Sequence, residues 1–217
     1  MVKFSGNLGK LGFFGEVEDS GQNDQTESDL INKYLKLLPE GHPGIQFVNN
    51  LSNTPGYLIH GRVNTYTGQI EIARNTPEKE TEFTLAHEIG HELTEGLVSK
   101  TPGYLTLDHL ENGKIEILIS EDTPPIQKLL LDFWESIYRD GGITEYGDSY
   151  RENTENGMWP ENIDLFHENL AEAYAAINVG GEFLENAKAR NSKAIDIATN
   201  IFGASDLNAL WRRTYGR

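Results

Sequence analysis

One helix with marked ends, carrying two histidines a turn apart, constrains this chain more than any other feature. Thr76 is suited to cap its start, Pro77 takes the first helical position, and Glu78 and Glu80 complement the positive helix end. Phe83, Ala86, Ile89, Gly90 and Leu93 recur at three- and four-residue spacing, so the helix buries a stripe, and Gly96 is a natural stop. On this helix lies His87-Glu88-Ile89-Gly90-His91, an HExxH pattern. The four-residue gap places both imidazoles on one face, where both can ligate a single Zn²⁺. Glu88 projects beside that face, within reach of the proton of a water at the metal. With 6 His in 217 residues, chance supplies such a pattern in only about 2% of chains of this composition, and this one falls on a capped amphipathic helix.

A tetrahedral catalytic site needs a third protein ligand and an open fourth position. The chain has no cysteine, so disulfides, thiolate ligands and cysteine nucleophiles are all excluded. Any zinc must be held by His and carboxylate. The metzincin pattern would need Gly at 94 and His or Asp at 97, where the chain has Thr94 and Leu97. A Glu from a separate helix is the other common solution, and residues 164–174 (DLFHENLAEAY) supply it. Glu168 and Glu172 share a helical face, while Leu165, Leu170, Ala173 and Ala176 cover the buried side. Glu168 is the expected ligand and Glu172 the carboxylate that holds a ligand histidine by its outer N–H. A register one turn later, with Glu172 as ligand, stays open.

The rest of the chain reads as α+β, a small mixed sheet followed by a mostly helical second half. Residues 1–29 form a Gly-rich and acidic arm, and 30–217 one domain. The run 16–29 reads as a solvated connector; the EF-hand order needed for calcium is missing. Residues 28–38 suggest a short helix capped by Ser28, 44–50 a short strand, and 57–74 two strands around a turn at Tyr66-Thr67-Gly68. In the second of these, Ile70 and Ile72 alternate as in a half-buried strand, either at a sheet edge that pairs with substrate or in the core. Residues 104–120 read as a hairpin turning at Asn112-Gly113, and 124–139 as a helix ended by Gly141-Gly142. The stretch 144–162 has no clean period and reads as a loop; three or four helices follow from Ile163, one through Ala176, one from Glu182, one around 194–202 and a last one from Ser205. His42, His60 and His109 are expected to face solvent or to satisfy local partners, and His167 to point off the ligand face. Trp134, Trp159 and Trp211 read as core or loop anchors.

With 34 Asp+Glu against 18 Lys+Arg the formal charge is −16, which argues against a grip on phosphate backbones and so against nucleic acid as a partner. A negative field instead favours basic peptides. No apolar run is long enough for a transmembrane segment, and residues 1–15 lack the basic head and cleavage site of a secretory signal.

Three segments, EFTLAHEIGHELTEG, QKLLLDFWESIYRDGGITEYGD and ENLAEAYA, together resemble the catalytic domain of anthrax lethal factor and its relatives. The Pro-Pro endopeptidases belong to the same wider group of gluzincin metallopeptidases. The resemblance covers roughly residues 80–178 and is strongest at its two ends. It implies a zincin-like fold, zinc on His87, His91 and Glu168, and Glu88 as general base. It also implies Tyr146 as the phenol that hydrogen-bonds the developing oxyanion. The family places that tyrosine close before the ligand Glu, whereas here residues 147–167 intervene, which makes Tyr150 a rival. The expected activity is that of a zinc-dependent metalloendopeptidase acting on a protein or peptide, secreted or toxin-like in preference to cytoplasmic. Two other readings are a cytosolic regulatory zinc peptidase and a catalytically silent protein-binding module on the same fold. An intact His87, Glu88, His91 and carboxylate set argues against the silent module.

Overall fold

Branched and small apolar side chains at Ile70, Ile72 and Ala73 suit a strand covered on both faces. The computed structural model describes residues 24–38, 41–52, 59–64, 66–99, 107–109, 115–117, 125–152 and 163–204. In it, strand β1 (Ile45–Val48), β2 (Gly61–Val63) and β3 (Ile70–Ala73) form a three-stranded sheet in the order β1-β3-β2. The sheet is mixed: β1 runs parallel to β3, with Phe47 opposite Ile72, and β2 runs antiparallel to it, with Gly61 opposite Ile72. The turn between β2 and β3 forms where expected, with Gly68 at a positive φ of 73° and the Asn64 side chain accepting from the Tyr66 and Thr67 amides.

The reading of β3 as half-buried is corrected, and of the two placements left open, sheet edge or core, the strand takes the core. It is the central strand, and all four of its residues are buried. Glu71 can lie inside because Arg62 and Asn64 on and beside β2 donate to its two oxygens at 2.7 and 2.8 Å. Among the described residues the edges are β1 and β2.

Helix α1 (Asp24–Leu35) precedes the sheet, and α2 (Glu78–Ser99) follows it. Helix α1 begins before Ser28, inside the run read as a solvated connector. Glu27 is buried there, in an ion pair with Arg74 at 2.8 Å that ties the helix to the turn after β3. Thr76, expected to cap α2, is fully buried and donates its hydroxyl to the His60 carbonyl, while the Pro77 carbonyl accepts the first helical amides. Gly96 does not stop α2, which continues to Ser99.

A separate hairpin joins β4 (Leu107–His109) to β5 (Ile115–Ile117), with Asp108 opposite Glu116; its Asn112-Gly113 turn lies outside the described residues. Helix α3 (Pro125–Asp140) ends before Gly141, at φ 110°. The reading of 144–162 as loop is corrected in its first part, where α4 spans Glu145–Glu152. Thr144 starts it, its hydroxyl accepting from the Gly147 amide at 3.0 Å. Helix α5 (Ile163–Val179) and α6 (Gly181–Ala204) complete the described chain. Helix α6 merges the two segments read from 182 and 194. Asn191 breaks its dihedrals (φ −150°, ψ 81°), and the Asn191 side chain caps the second half by accepting from the Ala194 amide. The last helix read from Ser205 lies outside the described residues, as do Trp159 and Trp211.

One continuous core joins these layers. Ile70 and Ile72 of the sheet, Leu85 and Ile89 of α2, Phe133 of α3, Leu170 of α5 and Ile195 of α6 all belong to it, as does Trp134. The α+β class holds, with a mostly helical second half. Helix α5 departs from a simple amphipathic reading, because its residues from Leu165 to Ala176 are buried almost without interruption. The face bearing Glu168 and Glu172 is therefore as buried as the apolar one. Among the described residues no helix is long and apolar enough to cross a membrane.

Candidate metal centre

Helix α2 presents His87 and His91 one turn apart, and helix α5 crosses beside them. Gly90 makes that crossing close: a Cβ added there would lie 2.9 Å from the Ala171 Cα and 3.2 Å from the Tyr174 Cβ. Glycine in a helix interior costs about 1 kcal/mol relative to alanine. Here the missing side chain lets two helix backbones approach until a carboxylate on one reaches imidazoles on the other. An isolated Gly between two histidines was a sequence signal for this role, and it was read only as part of the apolar stripe.

The side chains converge tightly. The Nε2 atoms of His87 and His91 are 2.9 Å apart, and Glu168 Oε2 lies 3.3 Å from the first and 3.5 Å from the second. Of the two registers left open on α5, this one sets Glu168 at the imidazole pair. Glu172, one turn on, has Oε1 3.2 Å from His87 Nδ1, on the ring's other side. His87, Glu168 and Glu172 are buried, and His91 is partly open to solvent. His87, His91 and Glu168 could hold a metal ion, since one ligand atom from each lies within 4.8 Å of the others.

The chemistry of the donors fits a cation. Glu168 Oε2 and Glu172 Oε2 are buried without a hydrogen-bond partner, and an orphaned buried carboxylate oxygen costs free energy. Glu172 Oε1 stands 3.2 Å from His87 Nδ1 on the far side of the ring, and a proton kept on Nδ1 leaves the Nε2 lone pair facing the cluster. Two imidazole nitrogens and a carboxylate oxygen then face one another, and a divalent ion could accept all three lone pairs where a shared proton bridges only two. In the metal-free protein the same crowding appears as charge. Burial opposes protonation of His87, but Glu168 and Glu172 outweigh it and raise its pKa well above the usual value. Against burial, His91 and His87 hold the Glu168 carboxyl well below the usual carboxylate range.

Glu88 is buried beside this group. Burial pushes its pKa up, partly countered by His87 and His91. It has room because β2 carries Gly61 opposite it; a Cβ there would lie 3.0 Å from Glu88 Cγ and 2.7 Å from Thr84 Cγ2. The strand carrying Gly61 is the first of the pair read at 57–74, but nothing local to it points to Glu88. Tyr146, in the first turn of α4, is buried, and its ring lies edge-on to His87 with centroids 6.2 Å apart. Tyr150 also falls in α4, with its side chain outside the described residues.

Of the two expectations for the remaining histidines, solvent-facing or locally partnered, His42 and His60 take the second. The His42 side chain is only 3% exposed; its Nδ1 accepts from the Gly44 amide at 3.0 Å, and its Nε2 lies 3.7 Å from Glu92 Oε2. His60 is half-buried with Nδ1 3.3 Å from the Thr76 hydroxyl, and burial lowers its pKa. The His109 side chain lies outside the described residues. His167 stands outside the ligand group, and burial, with a smaller contribution from His91, lowers its pKa to about 4.

No protein-family profile, curated protein or solved structure matches this chain.

Proposed function

We propose that the protein is a zinc-dependent metalloendopeptidase of the gluzincin kind, on a zincin-like fold similar to the lethal-factor catalytic domain. The observation that carries the reading is the His87–His91–Glu168 group, buried except for the partly open His91, with Glu88 and Glu172 around it. Two imidazoles and a carboxylate, with no thiolate, form a donor set suited to Zn²⁺ with one position open. A zinc ion held there would lower the pKa of a water and polarise the scissile carbonyl.

The chain's own residues do the rest. Glu88 takes the proton from the attacking water as its oxygen bonds the carbonyl carbon, then delivers that proton to the amide nitrogen as the C–N bond breaks. The products are a carboxylate and an amine. Burial raises the Glu88 pKa, which brings it closer to the operating pH that a proton shuttle needs. Glu172, 3.2 Å from His87 Nδ1, favours a proton on that nitrogen and so a lone pair on Nε2 turned inward. Tyr146, against His87, supplies the phenol O–H that stabilises the oxyanion. An extended peptide would add to the edge strand β2, next to Glu88 through Gly61. The net charge of −16 favours basic peptides. Export in preference to cytoplasmic residence goes with the resemblance.

Glu88→Ala tests the assignment. It is expected to keep one equivalent of zinc and to lower cleavage of a peptide library by about 10²–10⁴-fold. A variant that cleaves as fast as the parent sinks the mechanism. A parent chain that neither holds zinc nor cleaves any peptide points instead to a binding module.

A further inference from the structure

Glu168 is followed in α5 by a second buried polar residue that the mechanism leaves unused. Asn169 is fully buried, and its carboxamide is spent entirely on backbone. Two of its three bonds leave the helix: Oδ1 accepts from the Ile143 amide at 2.7 Å and Nδ2 donates to the Gly147 carbonyl at 3.2 Å, while Nδ2 also donates to the Leu165 carbonyl one turn back at 2.8 Å. Ile143 and Gly147 bracket Tyr146. The fit is close on both sides, since a Cβ on Gly142 or Gly147 would lie 2.7 or 2.5 Å from Asn169 Oδ1. A buried amide is worth its desolvation only when its bonds are made, and then it specifies one arrangement of its partners.

We propose that Asn169 is a positioning residue for Tyr146: its carboxamide fastens the turn into α4 to the helix that carries Glu168, so the phenol and the metal ligands move as one body. The proposal rests on the peptidase reading for the role of Tyr146 and on geometry alone for the tie. Two further contacts brace the same turn. Asp148 Oδ1 accepts from the Gly142 amide at 2.6 Å, and Asn191 Nδ2 donates to the Gly141 carbonyl at 2.7 Å. Asn169 differs from both in joining the turn directly to α5, one residue beyond Glu168.

The test uses the full chain with zinc, as the parent, Asn169→Ala, Asn169→Asp, Tyr146→Phe and the double variant Tyr146→Phe/Asn169→Ala. Asn169→Ala is expected to lower kcat on a peptide by about tenfold or more while KM moves by less than about twofold. Zinc affinity, read by competition with a chromophoric chelator, stays at the parent value. In the Tyr146→Phe background the same change costs no further activity. Amide exchange at Ile143 rises in Asn169→Ala, while exchange along α2 and α5 does not. Asn169→Asp keeps the acceptor for the Ile143 amide and restores both its protection and part of kcat. Unchanged Ile143 exchange, additive losses in the double variant, or zinc affinity falling in step with kcat each overturns the proposal. If Asn169→Ala does not fold, Gly147→Ala, which drives a Cβ at the same carboxamide, must show the same kcat loss at constant zinc affinity. Failure of both to fold makes Asn169 a folding residue and overturns it too. A parent without peptidase activity sinks the function instead, and Ile143 exchange then decides the tie by itself.

Discussion

Glu71 and Glu168 are both buried carboxylates, one in the sheet and one on α5, and they are satisfied in opposite ways. Glu71 receives a hydrogen bond on each oxygen, from Asn64 and from Arg62; burial pushes its pKa up, but these donors pull it below the ordinary value. Glu168 meets imidazole nitrogens at 3.3 and 3.5 Å, and its Oε2 has no hydrogen bond. A carboxylate whose lone pairs are all engaged within the chain fastens two strands together. One left short, beside two imidazole nitrogens 2.9 Å apart, could be completed by a metal ion.

The largest test of that contrast is Glu168→Ala. It should abolish zinc binding and lower hydrolysis by about 10³-fold or more. In the parent, removing zinc with a chelator should lower the melting temperature, since ligand at about a hundred times its Kd stabilises the folded state by about 2.7 kcal/mol. Glu168→Ala should show no chelator-dependent shift. A shift equal to the parent's would break the comparison. Next in size is Glu172→Gln, which retains volume but loses the charged acceptor behind His87; zinc affinity or kcat should fall about 10- to 100-fold.

Glu71→Gln sharpens the other side. Urea unfolding at neutral pH should show a loss of about 1–3 kcal/mol, with zinc content and activity per folded molecule unchanged. Because the folded pKa of Glu71 lies below its ordinary 4.5, its stabilising contribution is present above that value and is lost as pH falls through the folded pKa. The gap between parent and variant should therefore close in acid. A gap that widens there would mean the two donors do not hold the carboxylate.

What the sequence revealed followed from how far along the chain the relevant spacing extends. The i,i+4 pairs His87/His91 and Glu168/Glu172 each share a helical face by local geometry, so both halves of the site were legible separately. Nothing local says that those faces meet, or how closely; that depends on Gly90 lying against Ala171. The strand pair around Tyr66-Thr67-Gly68 was legible from its turn chemistry, but its depth was not, because burial of Glu71 depends on Arg62 and Asn64 being brought alongside by pairing. Helix α4 was missed because Gly147 and the polar residues around it score poorly as helix, while Thr144 and the α5 surface supply the cap and the support. His42 looked like a loop residue for the same reason: its Gly-Pro surroundings say nothing about Glu92 standing over it.

Gly90 sets the gauge of the site in the way a rail gauge is set by its sleepers. The span between the histidines and Glu168 is fixed by how far apart two helix axes are held, and at their crossing one of them contributes no side chain at all. Side chains of increasing volume at position 90 would thus act as shims, opening the jaw by small steps while every donor atom stays chemically intact. Such a series would read out how wide the site can become before it changes the ion it prefers, or ceases to grip one.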